Sequence, residues 1–565
     1  MMVKLTAAGT DVAEGIQTVM TDLSQNDGEK APGPGGVLLQ AKGLTVRTRA
    51  GVSLLSDLSF HIEPGELVAL AGLSRSGKST LLQSLAGLME PEGGEILIDG
   101  VNLYSNLKAF RSSIGFVSAD YALPQHLTVA EILQDEARLR LPRRASSHVR
   151  KQRVSTLLET VGLTQVTDRR VGLLSNVEKR RLSIALELIG SPGLLLLDES
   201  AKPLTPFEEV QISILMRELS RQGLTIIQVN ARSRSAGISD KIIFLAPGGV
   251  LAWFGPSDGA FAYLRSLLPR GVVKDLFGLQ EALEILVNPQ LRDGIEWAKR
   301  FKSHPAYQKY VDDPLHNRYP DLLLQTRPLL RLRLRSSSQE KLPPAIIPRA
   351  SGIQELMLLI RRNARILWRD KTGFLMLAIP PLVALITLIL SSSTLLGTLV
   401  GNPDRRPIAF GLLVFLVVLT ASLLVQNEIF KERGVYQREL RTSSLLFPYV
   451  LSKVWLVGIL AIYQGLVWTI IHFFAETGIA GGLQALFPYG ITLSLLAFIG
   501  GILGLIVSAL SRTTMTTTGW LLLLTVPQFL FNVNPLGHWS KLAIISLILI
   551  VLLVGIQHGA GSVKT

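Results

Sequence analysis

Between residues 373 and 557 the chain carries six uncharged apolar segments, at roughly 373–393, 407–427, 454–475, 488–510, 514–533 and 542–557. A helix needs about 20 apolar residues to cross about 30 Å of hydrocarbon, and a spanning backbone must satisfy its own hydrogen bonds. Buried helices of a water-soluble core do not come as six such runs in so short a stretch, so residues 373–565 read as an all-α transmembrane domain of about six helices. The last segment is the shortest, which holds the count to six within one.

The charge around these segments is ordered. Just upstream, GIQELMLLIRRNARILWRDKTGF repeats apolar residues at helical spacing and carries Arg361, Arg362, Arg365, Arg369 and Lys371. That is the pattern of a helix lying along a membrane surface, and it makes 351–372 an amphipathic connecting helix. EIFKERGVYQRELRTSS, between the second and third segments, holds Lys431, Arg433, Arg438 and Arg441. With the N-terminal region in the cytoplasm this stretch is cytoplasmic too, as the positive-inside rule requires, although Arg405, Arg406 and Lys541 fall on the other side. Basic residues beside the spans account for the net charge of +14, and no nucleic-acid-binding motif accompanies it. The expected partner is a lipid membrane and not nucleic acid. With no cysteine in the chain, disulfides, thiol catalysis and cysteine-held metals are excluded.

The first 36 residues are polar, end in APGPGG and lack the layout of a secretory signal. They read as a disordered tail, and the domain after them is expected to stay in the cytoplasm. From Val37 to about residue 270, apolar runs such as LVALAG, LLLLDE, LTIIQV and KIIFLA alternate with amphipathic helical patterns, which predicts an α/β domain with a mixed sheet covered by helices. The stretch 271–350 is mixed and charged and reads as a helical linker.

Two motifs in the α/β region carry chemistry. GLSRSGKST, Gly72, Leu73, Ser74, Arg75, Ser76, Gly77, Lys78, Ser79 and Thr80, satisfies G-x-x-x-x-G-K-[ST] between a strand and a helix. This P-loop predicts ATP binding: glycines let backbone N–H groups and the helix N-terminus face the phosphates, Lys78 reaches the β and γ oxygens, and Ser79 ligates Mg²⁺. LLLLDES delivers Asp198 and Glu199 to the C-terminal end of an apolar strand, where ligands of open α/β sheets bind. Asp198 is expected to hold the Mg²⁺ shell and Glu199 to act as general base toward the attacking water. The scattered histidines suggest no metal site beyond Mg²⁺.

These motifs, with RRLSIALELIGSP, LMLLIRRNARILWRD, ERGVYQREL and PYVLSKVW, make the chain after residue 37 resemble an ABC transporter half-transporter of the ABCG (White) type, nucleotide domain first. The resemblance implies two half-transporters, in a homodimer or a heterodimer, that sandwich two ATP molecules between the P-loop of one and the signature of the other. It also implies ATP-driven export. Against that family's pattern four positions depart. The signature LSGGE is LSNVE here, so that Ser175 and Glu178 are kept while Asn176 and Val177 replace glycines. The Q-loop glutamine aligns with Ala119, the D-loop aspartate with Thr205 and the switch histidine with Asn230. Removing a preorganised donor costs roughly 10² to 10³ in rate, so the expectation is tight ATP binding with slow hydrolysis. Two readings of the function remain: an ATP-driven exporter subunit, favoured by Glu199, and a regulatory subunit that binds ATP and acts through a partner.

Overall fold

In a computed structural model of the chain, the described residues are 35–142, 145–199, 204–229, 237–266, 294–316, 352–392, 406–442, 446–475, 483–511 and 514–533. The chain divides into two compact units. The first comprises Met1–Tyr121, Thr128–Arg169 and Leu173–Arg349, and the second Ala122–Leu127, Arg170–Gly172 and Ala350–Thr565.

The strands of the first unit are β1 (Leu39–Arg47), β2 (Ser53–Ile62), β3 (Leu67–Gly72), β4 (Gly93–Ile98), β5 (Val101–Asn102), β6 (Ile114–Val117), β7 (Leu194–Leu197), β8 (Thr225–Val229), β9 (Lys241–Ala246) and β10 (Val250–Pro256). They form two sheets. An antiparallel sheet has the order β2-β1-β4-β5, and a six-stranded sheet has the order β10-β9-β3-β8-β7-β6. In β1, buried and more exposed residues alternate, as in a strand with one face on the core. By contrast LVALAG of β3, LLLL of β7 and KIIFLA of β9 are buried at every position, the mark of parallel strands covered on both faces. Parallel pairing joins β3 to β8 and β9, β8 to β7, and β7 to β6. Only β10 runs antiparallel in this sheet, against β9.

The accompanying helices are α1 (Lys78–Leu85), α2 (Leu107–Phe110), α3 (Val129–Arg140), α4 (Ser147–Thr160), α5 (Asn176–Leu188), α6 (Pro206–Arg221), α7 (Ser257–Ser266) and α8 (Gly294–Lys302). Helices α3, α4 and α5 pack on one another, and α5 also meets β6. A buried ion network ties α3 to α5, with Arg140 bonded to Glu136 (2.6 Å) and Glu187 (3.1 Å).

The expected linker is corrected in part. Residues 294–316 are helical and belong to the core of the first unit, in which Trp297, Phe301, Ala306 and Val311 are buried. Phe301 lies 5.4 Å from the Trp253 ring and 5.3 Å from that of Tyr307, centroid to centroid. The expectations for residues 1–34, 271–293 and 317–350 fall outside the described residues.

The second unit is helical: α9 (Gly352–Arg369), α10 (Lys371–Met376), α11 (Ile379–Ser392), α12 (Arg406–Val425), α13 (Glu428–Thr442), α14 (Leu446–Ala475), α15 (Leu483–Leu510) and α16 (Thr514–Val533). Three described stretches are long and apolar enough to cross a membrane, Gly411–Glu439, Leu446–Phe473 and Leu486–Leu510. A fourth is counted if Gly352–Arg369 and Gly373–Ile389, bent by 83° at their junction, form one broken span. The expected segment 514–533 is helical as well, and 542–557 lies outside the described residues.

Helices α12 and α15 approach through glycine. A Cβ on Gly500 or Gly504 would lie 2.6 Å from the carbonyl oxygen of Val418 or Ser422, so only glycine fits there. Ser422 also donates to the carbonyl of Gly500 (2.7 Å), and Gln464 of α14 donates to Val417 O (2.8 Å) and Thr420 Oγ1 (2.6 Å) of α12. One expected surface charge turns inward. Arg362 of α9 is buried against Glu439 (2.5 Å), and nearby Lys453 is buried between Glu428 (3.2 Å) and Glu432 (2.8 Å).

Substituting Phe301→Ala removes a ring from the first unit's core and is expected to destabilise it by about 3–5 kcal/mol. The neighbouring Lys302→Ala breaks only an exposed ion pair with Asp57 and should cost less than about 1 kcal/mol. Thermal unfolding of the purified chain in detergent, followed by tryptophan fluorescence, compares the two.

Candidate nucleotide site

The P-loop leaves β3 at Gly72 and enters α1 at Lys78. Its turn depends on Gly77, whose φ of 92° is left-handed and whose Cβ would lie 2.5 Å from the carbonyl oxygen of Leu54. No side chain fits that position. Arg75 is also left-handed, with φ 65°. Between these two residues the N–H of Ser76 donates to the carbonyl of Leu73 (3.2 Å), which closes the loop just before the positive end of α1. Ser76 Oγ is buried and has no hydrogen-bond partner among the described residues, so the loop holds an unused polar atom of the kind a phosphate oxygen satisfies.

Lys78 is buried, and its ammonium donates to the carbonyls of Gly72 (2.8 Å) and Leu73 (2.7 Å). Burial lowers its pKa from the ordinary lysine value, opposed by the nearby Glu199 and Asp198 carboxylates. Asp198, at the end of β7, is buried and accepts from Ser79 Oγ at 3.2 Å. A hydroxyl and a carboxylate so placed are hard oxygen donors suited to Mg²⁺. Glu199 stands exposed one residue on, its main-chain N–H donating to Asp198 Oδ1 (2.9 Å). The fold thus brings together Gly72–Thr80, Asp198 and Glu199, which the sequence leaves about 120 residues apart.

The departing positions have local explanations. Ser175 is the N-cap of α5. Its side chain accepts from Glu178 N (3.2 Å), and Glu178 accepts in return from Ser175 N (2.7 Å), a reciprocal capping box. Asn176 and Val177 form the first turn of α5, and neither has positive φ, so the fold does not require glycine there. Thr205 plays the same part for α6, accepting from Glu208 N (3.3 Å), with Pro206 in the first turn. Ala119 lies just past β6, partly buried. Asn230 lies outside the described residues.

A model of the ABC transporter ATP-binding domain matches residues 55–202, and one of the ABC-2 type transporter membrane domain matches residues 354–533. The chain belongs to the ABC transporter family. Its ATP-binding domain precedes an ABC-2 membrane domain, which makes it an integral membrane protein. It is 26% identical over 87% of its length to the ABC transporter ATP-binding/permease protein Rv1747 of Mycobacterium tuberculosis, of which it spans 54%. Over 40% of its length it is 36% identical to the broad substrate specificity ATP-binding cassette transporter ABCG2 of Rattus norvegicus, spanning 35% of that protein. It is also 36% identical over 38% of its length to ABC transporter G family member 22 of Arabidopsis thaliana, of which it spans 29%.

Sequence reasoning passed over Arg180, which is buried beside Asp198 and whose pKa burial lowers to about 10 against the attraction of Asp198. The signal that could have found it was Arg180, Ser183 and Glu187 at i, i+3 and i+7, one stripe shared with the apolar residue Ile184 of the same helix.

The cap at Thr205 is directly testable. Thr205→Ala should cost about 1 kcal/mol of stability, whereas Thr205→Asp, also a good N-cap residue, should leave it nearly unchanged. Thermal unfolding of both variants in detergent measures the difference.

Proposed function

We propose that this ABC transporter chain binds ATP with Mg²⁺ in the cytoplasm and, paired with a second half-transporter, uses slow ATP hydrolysis to export a substrate across the membrane. The observation that carries the reading is the meeting of Ser79 and Asp198, 3.2 Å apart at the mouth of the P-loop, in a chain that also holds an ABC-2 membrane domain. Lys78 and the loop N–H groups would hold the phosphates, and the partner would supply the other half of each site.

Ser79 and Asp198 would hold Mg²⁺, which when bound neutralises charge on the β- and γ-phosphates. Glu199 lies at the exposed edge beside them, where its carboxylate would orient a water and take up its proton. Across a dimer interface the first turn of α5 would present Asn176 and Val177 in place of two glycines, so that side chains stand where bare N–H groups would approach a γ-phosphate. This is the physical basis for slow turnover.

The experiment is ATP binding and hydrolysis by the purified chain in lipid nanodiscs. Wild type should turn over slowly. Glu199→Gln should lose at least about 10²-fold in kcat with ATP still bound, and Lys78→Ala should lose ATP binding. A wild-type rate no higher than that of Glu199→Gln would sink hydrolysis by this chain alone and favour a subunit that binds ATP and acts through its partner.

A further inference from the structure

The guanidinium of Arg180 sits inside the first unit at a junction of three elements. It projects from α5 five residues beyond the capping Ser175. One terminal nitrogen donates to the main-chain carbonyl of Asp198, at the end of β7, and the other to the carbonyl of Ser118, just past β6 (3.3 Å). Seven residues further along α5, Glu187 accepts a hydrogen bond from the Tyr121 hydroxyl (2.6 Å), and Arg140 of α3 holds Glu187 in place. Segment 118–121 is therefore fastened to α5 near both ends, while Ala119 between them contributes only a methyl group.

We propose that Arg180 is a positioning residue for the carboxylate of Asp198, binding the main chain of Asp198, segment 118–121 and the helix that starts at Ser175 into one body. The proposal rests on the reading of Asp198 as a Mg²⁺ ligand. Its physical basis is that a ligand's carboxylate is only as well placed as the backbone that bears it. The Asp198 N–H is already bonded to Val117 O (2.9 Å), and Arg180 fixes the carbonyl on the other side of the same residue. A charged, planar fork suits this duty, because it reaches two carbonyls at once in a fixed geometry.

The reach of the clamp extends beyond the metal ligand. Ser175, Asn176 and Val177 open the same helix that Arg180 anchors, so the placement of that N-terminus depends on the strand ends at 118 and 198. A displacement of Asp198 would carry through the guanidinium to the start of α5 without a hydrogen-bonding side chain at position 119.

The test is equilibrium binding of radiolabelled ATP to the purified chain, titrated with Mg²⁺ and repeated in EDTA, for wild type, Arg180→Ala and Arg180→Lys. Loss of a group supporting a metal ligand costs about 10–100-fold in metal affinity. Because Arg180 holds main chain and not the carboxylate itself, the low end applies. Arg180→Ala should raise the Mg²⁺ concentration for half-maximal enhancement about 10-fold and leave ATP affinity in EDTA unchanged. Arg180→Lys, whose ammonium reaches one carbonyl, should fall between the two, and it carries the test alone if Arg180→Ala does not fold. A folded variant with the wild-type Mg²⁺ dependence, or one that loses affinity equally with Mg²⁺ and in EDTA, overturns the proposal while the ATP reading stands. Wild type that binds no ATP overturns both.

Discussion

The nucleotide site depends on the register of four parallel strands. Leu70 of β3 lies opposite Val229 of β8, Gln228 lies opposite Leu197 of β7, and Leu197 lies opposite Val117 of β6. The C-terminal ends of these strands therefore fall along one edge of the sheet, and the P-loop, Asp198 and Ser118 extend from them. A parallel pair slants its hydrogen bonds and requires a crossover between strands, so the edge gathers loops that are distant in sequence. Every position of β3, β7 and β8 is buried, which locks that register: no face could slip toward water without exposing apolar side chains.

What was legible in the sequence was chemistry written in neighbouring residues. The P-loop is a contiguous string whose glycines and lysine act on one another within a single turn, and Asp198–Glu199 closes a short apolar run, begun after Pro192-Gly193, that reads as a buried strand. What was not legible depends on partners far along the chain. Arg180 bonds carbonyls 62 and 18 residues away, and main-chain acceptors leave no mark in composition. Arg362 reads as one more membrane-facing cation beside Arg361, yet its partner Glu439 lies 77 residues on. Trp297 and Phe301 were hidden in a stretch that its charges make look like a linker. A short helix with a strongly polar outer face still buries the few large rings on its inner one.

The capping boxes at Ser175 and Thr205 show how one residue serves two descriptions. S-x-x-E and T-x-x-E are spacings that any helix start can use, and each of these helices uses one. Seen from the family pattern, Asn176, Val177 and Thr205 are losses. Within the folded chain they are ordinary residues of a first helical turn and its cap, with no left-handed backbone to strain. The departures thus alter what the surface of the domain presents and leave the elements that present it intact.

Glycine at positions 500 and 504 of α15 has a mechanical consequence. With Gly500 and Gly504 set against the main chain of Val418 and Ser422, and Ser422 bonded across the gap, a rotation of α15 against α12 would have to break close contacts and a hydrogen bond. The two helices are thereby fastened to each other within the second unit. Any rearrangement of that domain that keeps these contacts must carry the pair as a unit and take up its motion at other helix interfaces.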